Sequence, residues 1–202
     1  MVFSEVGLDV LKEIANIGAS KASTSLSEMI NMNISMEVPE CSVVKFSKIC
    51  DDFGGADSII GAVLVQMSGD MEGFIMLVAG IEDMCRTVSL LMGQETSVEG
   101  IEDPGEMLSI IQPIEEVANI LISTYLGAIS NMTNFRIVPS VPCLNIDMAQ
   151  AIMNVPALVY GDVGDVALLM ETKFNTPDIG GQFLLIPTVD SYHNLLKALN
   201  IE

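Results

Sequence analysis

Two side chains three residues apart, Glu13 and Asn16, recur further along the chain as Glu116 and Asn119. In each copy a proline follows the asparagine after 22 intervening residues, as Pro39 and as Pro142. Residues at i and i+3 share one helix face. A carboxylate accepts hydrogen bonds and pairs with cations. A neutral carboxamide both donates and accepts, so it can hold and orient a water. Such a pair makes no nucleophilic triad, because no Ser–His pair accompanies it and the single histidine, His193, is far along the chain. It is also a poor metal site without further carboxylates or histidines. What it suits is a reaction that asks mainly for in-line placement of a water, and phosphoryl transfer is such a reaction.

The pair sits in longer polar stripes. Asp9, Glu13, Asn16, Ser20, Ser23 or Thr24, and Ser27 form one; Gln112, Glu116, Asn119, Ser123 and Ser130 form the other. One stripe alone reads as a solvated helix face. Recurrence changes that. With a shift of 103 positions, residues 11–39 align on 114–142 without a gap, matching Glu13, Ala15, Asn16, Ile17, Ser20, Ser27, Met29, Asn31, Val38 and Pro39, among others. Two merely solvated faces have no reason to keep the same residues, so the chain is read as two halves with one local plan.

The elements that position these residues follow from periodicity. Leu11, Ala15, Ala22, Leu26 and Met29 recur at helical spacing, as do Val117, Leu121, Tyr125, Ala128 and Met132. Extended chain is expected over Ile34–Val38 and Ser42–Ile49, and again over Ile137–Leu144. Ile59–Met67 and Gly73–Ala79 read as a hairpin around Ser68-Gly69-Asp70, with a helix from Ile81 to Met92 stopped by Gly93. Val166–Phe174 and Gln182–Pro187 read as strands, followed by a helix over Ser191–Leu199 with Asp190 as its N-cap. Asp147–Met153 reads as an extra short helix. The expected fold is α+β: two helix–strands–helix halves, about 1–94 and 106–202, sharing one continuous β-sheet about a pseudo-two-fold axis. The two long motif helices pack on that sheet, and an acidic linker, 95–105, joins the halves in one domain over 1–202.

Composition narrows the partners. The 202 residues carry 8 Lys+Arg against 27 Asp+Glu, a net charge of −19, so nucleic acid and anionic membrane are excluded as partners by repulsion. Half the residues are hydrophobic, which argues against disorder. No apolar run approaches the roughly 18–20 residues of a membrane span. Glu5 and Asp9 stand where a signal peptide would be basic, so a cytoplasmic location is expected. Cys41, Cys50, Cys85 and Cys143 are widely spaced; free thiols rather than a metal site are expected.

The doubled motif resembles that of the CheC-type phosphatases of chemotaxis, the group related to CheX and FliY, whose pattern is Asp or Ser, x3, Glu, x2, Asn, x22, Pro. Asp9, Glu13, Asn16 and Pro39 match it fully; Glu116, Asn119 and Pro142 match it with Gln112 at the Asp/Ser position. The resemblance implies hydrolysis of the aspartyl phosphate of the response regulator CheY. Asn16 and Asn119 would orient the attacking water, and Glu13 and Glu116 would pair with the regulator's lysine. The magnesium ion would belong to the regulator, leaving this chain without a cofactor or metal of its own. It further implies a monomer whose activity is raised by the deamidase CheD, docked on Leu144–Ile152 with Asp147 at the contact position; Asp147 reads equally as a helix N-cap. A different class remains open, a non-catalytic adaptor or flagellar-switch module on the same scaffold.

Overall fold

The computed structural model describes residues 4–38, 41–159, 166–174 and 180–199. Among these the chain runs α1 (Glu5–Ile30), β1 (Met36–Glu37), β2 (Cys41–Lys45), α2 (Phe46–Asp51), β3 (Ile59–Gly69), β4 (Gly73–Gly80) and α3 (Ile81–Met92). After a connector come α4 (Pro104–Ile111), α5 (Ile114–Thr133), β5 (Ile137–Pro139), β6 (Cys143–Met148), α6 (Ala149–Val159), β7 (Val166–Phe174), β8 (Gln182–Pro187) and α7 (Val189–Ala198). Apart from α4, each element of the first half has its counterpart in the second.

All eight strands join one antiparallel sheet. Its central order is β7-β8-β4-β3; β1 and β2 flank β7, and β5 and β6 flank β3. The edge strands are therefore exchanged. The first half's β1 and β2 pair with the second half's β7, and the second half's β5 and β6 pair with the first half's β3. The two hairpins meet where β4 pairs with β8. A two-fold axis perpendicular to the sheet at that seam relates the halves, as the repeat predicts.

The central strands are apolar on both faces because both are covered. Val63, Val65, Ile75, Leu77, Phe183 and Leu185 pack in one core with residues of α1, α3, α5 and α7. Their neighbours Ala62, Met76, Val78, Leu184 and Ile186 pack on the other face with Phe46, Ile49 and Cys50 of α2 and with Ala149, Ile152 and Met153 of α6. Strand alternation assigns successive residues to the two layers.

Both edges break in the same way. Glu37 faces Lys173 and Cys41 faces Met170, so four steps on the edge match three on β7. Pro139 faces Met67 and Cys143 faces Leu64, again four against three. The extra residue lies in the interval that holds each motif proline, a residue with no N–H for a ladder. Pro39 itself is outside the described residues.

Five expectations need correction. Extended chain stops at Lys45; Phe46, Ile49 and Cys50, at i, i+3 and i+4, make a helical face that buries all three, so α2 begins there. The helix at 147–153 is not extra but is the counterpart of α2. It starts at Ala149, because its first free N–H groups are taken by main-chain oxygens: Ala149 N donates to Ser58 O and Gln150 N to Ala56 O. Asp147 is consequently a β6 residue opposite Ile60, and its Oδ1 accepts from Met148 N rather than capping a helix. The cap of α7 is Thr188, whose hydroxyl accepts from Ser191 N, and Asp190 lies in the first turn. The acidic stretch ends in a helix, α4, started by the Asp103 side chain accepting from Glu106 N.

Candidate functional site

The motif helices α1 and α5 pack against each other over the sheet. The two-fold axis makes them antiparallel, which places Glu13–Asn16 and Glu116–Asn119 toward opposite ends of the pair. Their contact is close at one point. A Cβ at Gly18 would lie 3.0 Å from two ring atoms of Tyr125. Tyr125 is fully buried and stacks on Phe183 with ring centroids 6.4 Å apart. Burial pushes its phenol well above the usual tyrosine range, so the ring acts as a neutral wedge under α1.

Local contacts separate the repeated residues into two groups. Asn31 and Asn134 end the two helices in the left-handed conformation, φ 54° and 60°, which asparagine tolerates better than other side chains. Ser27 Oγ accepts from Ile34 N at 2.9 Å, and Ser130 Oγ donates to Phe135 O at 2.7 Å; both staple the chain that leaves the helix. In the first half the hydroxyls of Ser23 and Thr24, which do not recur, donate to the carbonyl of the repeated Ser20. Ala15 and Ala118 are buried at the helix–sheet interface. These recurrences are explained by folding.

Glu13 and Asn16, with Glu116 and Asn119, are not. Glu13, Glu116 and Asn119 are exposed and Asn16 is half-buried. None of the four makes a side-chain hydrogen bond or ion pair among the described residues. Ser20 and Ser123 are exposed beside them. Each site thus offers a carboxylate and a carboxamide, one helical turn apart, on a helix whose other face is buried against the sheet. The helix fixes their spacing; their hydrogen-bonding capacity is left for something outside the chain.

The residues ahead of each pair differ. Asp9 is exposed one turn before Glu13 on the same uninterrupted helix. Gln112, expected on the second motif helix, instead caps the C-terminus of α4. Pro113 has no N–H to continue the helix, and the junction closes with tighter bonds, Glu115 N to Gln112 O and Glu116 N to Pro113 O. Among the described residues no group of three or more His, Cys, Asp or Glu is placed to hold a metal ion, and no helix is long and apolar enough to cross a membrane.

Comparison with known proteins bears on the same segments. A family model described as the CheC-like family matches residues 6–43 and 114–146, which are the two motif helices with the strands after them. In both motif segments the chain is similar to the CheC-like family. It is 29% identical over 199 residues to the Bacillus subtilis protein named CheY-P phosphatase CheC, covering 96% of this chain and 94% of that one. Among solved structures, Thermotoga maritima FliY matches over the full length of both chains with a TM-score of 0.74 and 21% identity. The structure titled as the CheX–CheY–BeF3–Mg complex from Borrelia burgdorferi matches 85% of this chain and 94% of its own, with a TM-score of 0.53 and 17% identity. The two solved structures share the fold across both halves of this chain.

The sequence reading missed two features of the site. One is the helix break at Pro113, for which the signal was the proline itself. The other is Glu115, which no local pattern distinguishes from Glu116.

Proposed function

We propose that this chain is a phosphatase for the aspartyl phosphate of a CheY-type response regulator. The observation that carries the reading is the residue sorting above. Once the folding roles of the repeated residues are removed, a Glu–Asn pair remains at each site, exposed or half-exposed and unbonded, on a family scaffold shared with a protein named as a CheY-P phosphatase.

The chemistry asks little of the protein beyond placement. Water attacks phosphorus, the bond to the aspartyl oxygen breaks, and inorganic phosphate and the regulator's free carboxylate result. The Asn16 or Asn119 carboxamide accepts a hydrogen bond from the water and fixes its line of approach. Glu13 or Glu116 pairs with a lysine of the regulator and sets the docking register. The magnesium ion at the phosphate belongs to the regulator, so this chain contributes no metal or cofactor. The contact is local, which reconciles a net charge of −19 with an acidic partner site.

Regulation by CheD extends the same reading. Asp147 is half-buried at the next-to-last position of β6, and α6 beyond it exposes Val155 and, at 82% exposure, Leu158. An exposed apolar pair beside a carboxylate suits a protein partner. Asp147→Lys weakens CheD binding in a pull-down or calorimetric titration if this surface is used; unchanged affinity removes it.

The deciding experiment is phosphate release from a phosphorylated CheY-type regulator, with and without CheD. Release accelerates with the wild-type chain and returns to the regulator's own rate when Asn16 and Asn119 are both alanine. A double variant with full activity ends the water-orientation role. A second reading is a non-catalytic adaptor on the same scaffold, one that binds the regulator without hydrolysis. Binding with no acceleration by the wild-type chain selects it.

A further inference from the structure

Glu115 and Glu116 both occupy the first turn of α5, where the free N–H groups favour carboxylates, yet they do different things. Glu116 is exposed and unbonded among the described residues. Glu115 is half-buried, and its Oε1 accepts the backbone N–H of Leu144 at 3.0 Å. Leu144 is the second residue of β6, an edge strand with no strand beyond it among the described residues, and it follows the motif proline Pro142 by two positions. We propose that Glu115 is a positioning residue of the second site, tying the bend Val141–Pro142–Cys143 to the turn of α5 that carries Glu116 and Asn119.

The bend has little else to hold it. Val141 is 85% exposed and Cys143 is exposed, so packing does not fix them. Before the bend, Ser140 is anchored to Gln66 by two hydrogen bonds, Ser140 N to Gln66 O and Gln66 N to Ser140 Oγ. Within it the ladder slips by one residue. After it, the charge-assisted bond from Glu115 is what links the strand to the motif helix. Glu115 and Asn119 are i and i+4 neighbours, so the clamp is anchored one helical turn from the asparagine.

The first half solves the same problem differently. The repeat places Lys12 where Glu115 stands, and an ammonium cannot accept an N–H. There the described residues on either side are buried instead: Val38, the mate of Val141, is 4% exposed, and Cys41, the mate of Leu144, is also buried. The clamp is therefore specific to the second site.

The inference rests on the phosphatase reading of the second pair, and its test separates the two. In a chain carrying Asn16→Ala, phosphate release reports the second site. There Glu115→Ala lowers kcat roughly tenfold while KM changes less, because the site is misplaced rather than removed. Glu115→Gln, whose carboxamide oxygen still accepts the bond, keeps most of the rate. In a chain carrying Asn119→Ala the same Glu115→Ala change does not alter the remaining release. Amide hydrogen exchange at Leu144, which needs no activity, speeds up in Glu115→Ala and stays slow in Glu115→Gln. Unchanged Leu144 exchange, an unchanged second-site kcat, or an equal fall at both sites overturns the proposal. A wild-type chain that does not accelerate the regulator's dephosphorylation overturns the functional reading instead, and Leu144 exchange still decides whether the clamp exists.

Discussion

The two motif helices carry the same pair of side chains and present them differently. In α1, 26 residues run unbroken, and Asp9, Glu13 and Asn16 lie in register along it. In α5, Glu116 and Asn119 come just after a break, and Gln112 belongs to the previous helix. One repeat position accounts for the break: Val10 in the first half is Pro113 in the second. The first site is supported by helix continuity and by the burial of Val38 and Cys41 in the chain that follows. The second lost continuity and has a side-chain clamp, Glu115 to Leu144 N, in its place. The two halves carry the same pair of side chains while the means of positioning them differ, which is what is expected when the offered groups are constrained and their supports are interchangeable.

That comparison can be broken at several points. The largest effect is expected from taking the sites apart. Asn16→Ala alone and Asn119→Ala alone each leave only the other site, and the first site is expected to carry the larger share of phosphate release. A larger share at the second site would show that helix continuity ahead of the pair is not what matters. Next in size is the packing between the helices. Gly18→Leu installs the residue of the second half, Leu121, against the Tyr125 ring, and costs about 1–3 kcal/mol by overpacking. Thermal unfolding should show it as a drop of roughly 2–4 °C per kcal/mol. Adding Tyr125→Ala, the mate of Ala22, should restore part of the loss; no recovery would refute the wedge.

A smaller gain is expected from rebuilding the second site in the image of the first. Gln112→Asp with Pro113→Val lets the helix continue and returns the leading carboxylate, raising second-site release by roughly two- to fivefold, about 0.4–1 kcal/mol. Circular dichroism should report slightly more helix, and no change in either quantity counts against the break as the source of the asymmetry. The smallest effect tests where the halves are alike. Asn31→Gly and Asn134→Gly should each shift stability by only a few tenths of a kcal/mol, because glycine accepts the left-handed conformation, while alanine at either position costs about 1 kcal/mol. Unequal responses of the two caps in denaturant unfolding would show that the halves have diverged there too.

Much of this was legible in the residues. The helical period of Leu11, Ala15, Ala22 and Leu26 predicted α1. The hairpin around Ser68-Gly69-Asp70 formed as expected; Gly69 has φ 99° and a Cβ there would collide with Arg136 O. Ile81–Met92 is helical over the expected range. What was misread was misread for a local reason. Val43 and Val44 suggest extended chain that in fact ends at Lys45, and the short face of Phe46, Ile49 and Cys50 is easily lost behind them. Asp147 looks like a cap in sequence, but the donors it would satisfy are already taken by the main chain of Ala56 and Ser58. Met132 continues the apolar period of α5 yet is exposed, while its neighbour Thr133 is the buried residue at the helix end.

By itself the sequence determined the duplication, the two amphipathic helices and the identity of the side chains offered at each site. Helical spacing and side-chain chemistry are local properties, and twenty-odd residues suffice to display them. The tertiary structure alone decided that the edge strands are exchanged between halves, which identical residues serve caps and staples, and that Glu115, not Glu116, reaches Leu144. Those outcomes depend on which unpaired backbone groups meet across long sequence separations, and a backbone N–H carries no mark in the sequence of the partner that will accept it.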